Sequence, residues 1–286
     1  MQKIGLLSNQ KREGSIKEGK KIAAWLKKEN IEVLQPDEPY DVTDQEFLCG
    51  YLDGIAEECD MLLVLGGDGT LLSVARQAAN YRLPILGVNM GRVGFLAELE
   101  PGARLYTYLN RLLKGDYYLE ERMMLQVEVV RDGSVIKIGH CLNDGVVLRH
   151  NFSGLVKTMV FIDGRLSASY HSDGMAVSTP TGASGYSLSA NGPLVSPEMQ
   201  AIIITPICAQ SLYSRPIVVG AERKISIQID DIEGECYLSL DGKTDTMSVL
   251  VGDTVNFVES PMKTLLIRLN GKTFFDVLNE KLRDRR

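Results

Sequence analysis

Met61-Leu62-Leu63-Val64-Leu65-Gly66-Gly67-Asp68-Gly69-Thr70 runs five apolar residues into a glycine-rich turn. A short, unbroken apolar run reads as a central parallel strand buried on both faces. Thr70 to Asn80 continues with helical spacing. Strand, glycine turn and helix in succession put the glycines at the carboxyl end of a parallel sheet, where open α/β sheets bind ligands. Glycines let backbone N–H groups approach a phosphate closely, and the helix N-terminus that follows favours negative charge. Asp68 is the unusual member, because a carboxylate among phosphate-cradling amides repels the ligand unless it has a task. Two tasks suit it: holding a divalent cation, or accepting a proton from a hydroxyl that attacks phosphorus. An isolated Asp-Gly is an ordinary turn pair. Gly66-Gly67-Asp68-Gly69-Thr70 after five apolar residues points instead to phosphoryl handling.

On either side of this stretch the first ~115 residues alternate strand-like and helix-like segments. Lys3 to Ser8 is a short apolar run. Ser15 to Glu29 places Ile16, Gly19, Ile22, Ala23 and Leu26 along one helical face, which leaves the lysines of Lys17 to Lys28 on the wet face. Pro84 to Val88 reads as another buried strand and Leu105 to Leu113 as a helix. Such alternation predicts a Rossmann-like, doubly wound α/β domain over 1–117.

From about Leu119 the period changes. Leu125, Val127 and Val129 alternate with polar residues, as do Ile225, Ile227 and Ile229, the mark of half-buried strands. Asp132-Gly133, Asp163-Gly164 and Asp241-Gly242 lie between strand-like runs, where Asp-Gly favours tight hairpins. Residues 118–270 therefore read as an antiparallel β-sandwich-like domain. Thr273 to Arg285 regains helical spacing through Phe274, Val277, Leu278 and Leu282, and 271–286 is expected to pack back on the first domain.

Bulk properties narrow the function. The 286 residues carry a net charge of -6, which argues against a nucleic-acid partner. No run approaches the ~20 apolar residues that span a bilayer, and the start lacks the apolar stretch of a signal peptide, so the expected location is cytoplasmic. Cys49, Cys59, Cys141, Cys208 and Cys236 are scattered without zinc or redox spacing, and buried reduced thiols are the expectation. No residue is assigned as a metal ligand.

A second polar constellation lies in the β half: Asp173, Thr179-Pro180-Thr181-Gly182, Ser184-Gly185-Tyr186, Ser189 and Asn191-Gly192-Pro193. Small residues admit a flat ligand close to the backbone, hydroxyls bond to a base, ribose or phosphate, and Tyr186 can stack on a ring. The alternative is a long irregular surface loop. Upstream, Asn143-Asp144 interrupts the apolar runs Ile136 to Leu142 and Val146 to Leu148, and for this pair alone a turn is the simpler reading.

The motifs in order are Gly66 to Thr70, Gly87-Val88-Asn89-Met90-Gly91-Arg92-Val93-Gly94-Phe95-Leu96, Asn143-Asp144, and Asp173 to Pro193. Together they closely resemble the NAD kinase (ATP-NAD kinase) family over about residues 60 to 275. Lipid kinases and phosphofructokinases share the first motif but are not expected to carry the last. The resemblance implies an α/β domain followed by a β domain with NAD bound between them, and transfer of the γ-phosphoryl group of ATP to the 2′-hydroxyl of the adenosine ribose to make NADP, with Mg²⁺ as the cation. It implies that Asp68 is the general base and that Gly66, Gly67 and Gly69 lie against phosphates. Phe95 is then near the adenine, Asn143 and Asp144 bind ribose and adenine, and Asp173 approaches the nicotinamide end. Ser184, Gly185, Tyr186 and Ser189 line the adenine and nicotinamide pockets. His171 is a candidate phosphate contact, with an ordinary strand histidine as the alternative. A homodimer or homotetramer through the β domain is also implied.

Two departures stand out. The family usually has Gly-Ser-Thr-Ala-Tyr where this chain has Gly182-Ala183-Ser184-Gly185-Tyr186, and Asn-Glu where it has Asn143-Asp144. Both predict altered affinity rather than lost chemistry. The rivals are a kinase of another small hydroxyl substrate using the same glycine loop, and a non-catalytic NAD(P)-binding sensor.

Overall fold

Apolar runs too short and unbroken for amphipathic helices become strands covered on both faces. In the computed structural model, which describes residues 2–91, 94–150, 154–211, 213–232, 234–242 and 246–283, the chain parts into two compact units. One comprises Met1–Glu121 with Met262–Arg286, the other Arg122–Pro261. Arg92 and Val93 of the second motif, and Asp284 to Arg286 at the end of the chain, lie outside the described residues.

The first unit contains β1 (Lys3–Ser8), α1 (Glu13–Lys28), β2 (Glu32–Leu34), α2 (Gln45–Ile55), β3 (Met61–Gly66), α3 (Asp68–Ala78), β4 (Ile85–Asn89) and α4 (Leu105–Leu113). The strands lie in the order β2-β1-β3-β4, all parallel. All six residues of β3 and all five of β4 are buried. Burial of each such Leu, Ile or Val side chain stabilises by roughly 1.5–3 kcal/mol, so the apolar runs dictate the centre of this sheet. Helix α1 starts two residues before the expected point and buries Ser15, Gly19, Ile22, Ala23 and Leu26, with Ile16 only half-buried. Helix α2 was not expected from the sequence, although Phe47, Leu48, Tyr51, Leu52 and Ile55 recur at helical spacing, and of these Leu48 and Leu52 are buried. Asp44 starts it by accepting the N–H groups of Glu46 and Phe47.

The second unit is built from most of β5 (Tyr118–Arg131, of which Tyr118–Glu121 belong to the first unit), β6 (Ser134–Cys141), β7 (Asp144–Arg149), β8 (Val156–Ile162), β9 (Arg165–Ser172), β10 (Gly174–Ser178), α5 (Tyr186–Ser189), β11 (Ala201–Ile207), β12 (Ile217–Gly220), β13 (Ile225–Ile232), β14 (Cys236–Leu240), β15 (Thr246–Val249) and about half of β16 (Thr254–Arg268). One sheet has the order β12-β11-β10-β7-β14-β15, antiparallel at every pair. Opposite it, β13 lies between β16 and β8, with β9 beyond β8. Val147, Met175, Val177, Ile202 and Leu238 of the first sheet share one core with Val156, Val160, Ile225, Ile227 and Phe257 of the second, which makes a sandwich. Asp132-Gly133 and Asp163-Gly164 turn two-residue hairpins with positive φ at both residues, Asp132 at 50° and Gly133 at 76° for instance, whereas Asp241-Gly242 opens a longer connection from β14 to β15.

Strand β16 carries the chain back into the first unit, where Leu266 pairs in parallel with Ile85 of β4. The closing helix α6 (Phe274–Arg283) belongs to the first unit, and Phe274 packs on Phe95 with ring centroids 5.5 Å apart.

Candidate functional site

In the first unit the connection after β1 leaves toward β2, whereas that after β3 leaves toward β4. The carboxyl ends of β1 and β3 therefore flank the point where strand order reverses, the crevice in which open α/β sheets bind ligands. Both loops are tied there. Asn9 follows β1, and its N–H donates to the Leu65 carbonyl at 2.9 Å while its Nδ2 donates to Thr70 Oγ1 at 2.8 Å. The Met90 N–H, after β4, donates to the Gly66 carbonyl at 2.9 Å.

The glycines have distinct duties. A Cβ on Gly66 would lie 2.5 Å from Thr70 Cβ, so Gly66 is required by packing. On Gly67 or Gly69 a Cβ would meet nothing within 4 Å, and those positions border open space. Gly67 caps α3 in extended conformation without a side-chain cap, which leaves a helix N-terminus of the kind that takes an anion. Asp68 is the first residue of α3 and is partly exposed. Its Oδ2 accepts the Phe95 N–H at 2.8 Å and its Oδ1 the Leu96 N–H at 3.2 Å. Two amides from one short loop thus fix the plane of the carboxylate. Gly94 is part of the same fit, because a Cβ there would sit 1.9 Å from Asp68 Oδ1. Nothing in the sequence reading singled Gly94 out.

In the second unit Asn143 and Asp144 open β7, and a residue read only as a turn former holds them. Asp241 accepts the N–H groups of Leu142, Asn143 and Asp144 at 3.1, 2.7 and 3.3 Å. Asp144 is 4% exposed. Burial, and then the neighbouring Asp241 carboxylate, push its carboxyl up to about 7. The Asn143 carbonyl accepts the Thr179 N–H at 2.9 Å, and a Cβ on Gly182 would lie 2.1 Å from that oxygen. The two polar segments that the sequence lists 36 residues apart are therefore pressed together, Asn143 against Thr179 and Gly182.

Much of the segment expected as either ligand site or surface loop is ordered and buried. Thr179, Thr181, Ala183 and Ser187 are buried. Ser187 Oγ and Thr205 Oγ1 are 2.9 Å apart, and Arg122 Nη1 donates to Thr181 Oγ1 at 3.2 Å. Ala183, Val195 and Ile203 form a small apolar cluster beneath it. Ser184 and Gly185 are half-buried, while Tyr186 and Ser189 are exposed on α5. Partial burial raises the Tyr186 phenol, with Cys208, Asp144 and Asp173 adding to the shift, so these four groups lie within electrostatic reach of one another. Cys208 is exposed, against the expectation of buried thiols. Asp173 pairs with Arg149 at 2.8 Å. His171 projects from β9 into solvent, and no described contact links its side chain to Asp173.

Among the described residues no group of three or more His, Cys, Asp or Glu could hold a metal ion, and no helix is long and apolar enough to cross a membrane.

Comparison with known proteins bears on what such a pair of constellations does. Residues 4–117 match the family model described as ATP-NAD kinase N-terminal domain, and 142–269 match that of the ATP-NAD kinase C-terminal domain. The chain is 37% identical over 290 residues to an NAD kinase of Desulforamulus reducens, across 99% of this chain and 98% of the relative. It is 41% identical over 238 residues to one of Geotalea daltonii, across 82% and 83%. Among solved structures it is similar to yeast NADH kinase complexed with NADH, with a TM-score of 0.83 at 24% identity, covering 99% of this chain and 88% of the other. An NAD kinase from Archaeoglobus fulgidus in complex with ATP gives 0.74 at 24%, covering 99% of each.

Proposed function

Because this chain belongs to the ATP-NAD kinase family, we propose that it transfers the γ-phosphoryl group of ATP to the 2′-hydroxyl of the adenosine ribose of NAD, forming NADP. The observation that carries the mechanism is Asp68: a carboxylate at the head of α3, one residue past a glycine whose surroundings are open, with both oxygens bonded to backbone amides.

A ribose hydroxyl is a weak nucleophile, and the triphosphate it attacks is anionic. The protein must align that oxygen with phosphorus and receive its proton as the bond forms. Asp68 takes the proton on a carboxylate oxygen. The amides of Phe95 and Leu96 hold that group at a fixed angle, so little reorientation is needed at the moment of transfer. Gly67 and Gly69 leave room for phosphates against the backbone, and the N-terminus of α3 faces their charge. Asn143 and Asp144 bind the ribose and adenine, and Phe95 lies by the adenine. Ser184, Gly185, Tyr186 and Ser189 line the base pockets, Asp173 attends the nicotinamide end, and His171 reaches a phosphate. Of the residues present, the Asp68 carboxylate would hold a Mg²⁺ brought in with the nucleotide, and that cation would supply neutralisation of the triphosphate charge. We further place the enzyme in the cytoplasm as a homodimer or homotetramer, a state that light scattering on the eluting protein measures directly.

The test is NADP formation from Mg²⁺-ATP and NAD by the wild type beside Asp68→Asn. That change keeps shape and removes the proton acceptor. Turnover is expected to fall by at least about 10²-fold, within the usual contribution of a general base, while NAD still binds. Near-normal turnover in Asp68→Asn would remove Asp68 from its role. No NADP from the wild type would remove the activity itself.

A further inference from the structure

Residue Leu96 is gripped from both sides. Its N–H donates to Asp68 Oδ1 at 3.2 Å, and its carbonyl accepts from Arg268 Nη1 at 3.2 Å. Arg268 ends β16 and is 9% exposed. It is held between two carboxylates, with Nη1 3.2 Å from Glu98 Oε2 and Nε 2.5 Å from Glu120 Oε2. Glu98 is in turn fixed, since its Oε1 accepts the N–H groups of Leu269 and Asn270 at 2.6 and 2.5 Å. Its backbone carbonyl accepts Asn270 Nδ2 at 2.6 Å. The result is a branched ion cluster, with Arg268 and Glu98 buried and Glu120 half-buried, bearing on the loop whose amides orient Asp68.

We propose that Arg268, clamped by Glu98 and Glu120, is a positioning residue that sets the angle of the Asp68 carboxylate by pinning Leu96. This inference rests on Asp68 being the group that receives the ribose proton. Burying the charges of Arg268 and Glu98 is an unfavourable way to gain stability, since apolar residues of the same volume are often as good or better. What the cluster supplies that apolar packing does not is a directed N–H donor at one carbonyl. The planar guanidinium serves Leu96, Glu98 and Glu120 from a single rigid fork, which a lysine ammonium cannot reproduce. Arg268 touches neither Asp68 nor, on this assignment, any reacting atom.

The experiment compares Arg268→Gln and Arg268→Lys with the wild type in NADP formation, and follows amide hydrogen exchange at Leu96 in the ligand-free protein. Misplacement of a reacting group by about 1 Å lowers turnover on the order of 10²-fold. The expected result is such a fall in kcat for Arg268→Gln, a smaller one for Arg268→Lys, KM for NAD and ATP within about twofold, and faster exchange at Leu96. Arg268→Gln removes the counter-charge of buried Glu98 and half-buried Glu120 and can fail to fold. The triple change Glu98→Gln, Glu120→Gln, Arg268→Met removes all three charges together, and it is expected to keep the fold while losing kcat to the same degree. Arg131→Gln is the control: it breaks the two-pronged pair of Arg131 with Asp253 in the second unit, lowering the melting temperature but not kcat. Wild-type kcat in a folded triple variant, a loss confined to KM, or an equal kcat loss in Arg131→Gln overturns the inference. If the wild type makes no NADP, the exchange at Leu96 still decides whether Arg268 holds this loop, and unchanged exchange overturns the inference on its own.

Discussion

Asp144 is a carboxyl group whose surroundings oppose its charge. At 4% exposure, burial and then the adjacent Asp241 carboxylate push its carboxyl up to about 7 from the ordinary carboxylate value of 3.8. The folded state therefore holds a proton that the unfolded chain releases, and stability from this group is complete below about pH 3.8 and lost progressively as pH rises to about 7. At about 1.36 kcal/mol per unit, the part lost between pH 5 and pH 8 is on the order of 3 kcal/mol. Asp144→Asn has no such proton to lose. Melting curves of the ligand-free proteins should show the variant gaining on the wild type between pH 5 and pH 8. A difference independent of pH would mean that Asp144 is not held protonated. The sequence identified Asn143 and Asp144 as interesting polar residues between apolar runs, but not the reason. Asp241, almost a hundred residues away, supplies the hydrogen bonds that hold the pair and a repulsion that adds to the larger effect of burial on Asp144.

Helix α3 and its glycines separate packing from function. Gly66 and Gly67 are neighbours in sequence, yet a methyl group on Gly66 would press on Thr70 whereas one on Gly67 would meet nothing within 4 Å. Gly66→Ala is thus expected to lower the melting temperature by disturbing the first turn of α3, at a cost of about 1–3 kcal/mol for overpacking. Gly67→Ala should leave the melting temperature within a degree or two and raise KM for ATP at least about tenfold, because on the proposed assignment the methyl group enters the open space that a phosphate takes. Thermal melts and steady-state kinetics on the pair decide the matter. A Gly67→Ala enzyme with unchanged KM would show that phosphates do not approach that backbone. Glycine clustering was legible in the sequence, but the division of labour was not, since it depends on where the Thr70 side chain points.

On the scale of the whole molecule, the first unit is discontinuous in sequence. Ile267 and Leu269 are part of its core along with Ile4, Leu63, Leu86 and Leu105, and Arg268 supplies the counter-charge to Glu98 and Glu120. A fragment ending at Glu121 lacks these groups and keeps two carboxylates that the intact unit pairs. A buried charge that loses its counter-charge, as Glu98 does here, destabilises by about 3–5 kcal/mol. Residues 1–121 alone are therefore expected to be unfolded or aggregated by circular dichroism and hydrogen exchange. The same residues joined by a short linker to 262–286 should show protected amides in β3 and β4. Equal protection in both fragments would make the returning segment dispensable.

The sequence by itself determined the elements with strong apolar periods and the order of the motifs. Met61 to Leu65 could only bury as a central strand, Asp132-Gly133 and Asp163-Gly164 marked tight hairpins, and four motifs in succession were enough to name a family. These are local or linear properties, carried by spacing along the chain. Tertiary structure decided everything that depends on groups distant in sequence meeting in space. It set Phe95 and Leu96 on Asp68, Arg268 on Leu96, Asp241 on the amides of Asn143 and Asp144, and Gly182 against the Asn143 carbonyl. Hydrogen bonds and pKa shifts act over a few ångströms, and no periodicity in the sequence records which residues the fold will bring within that range.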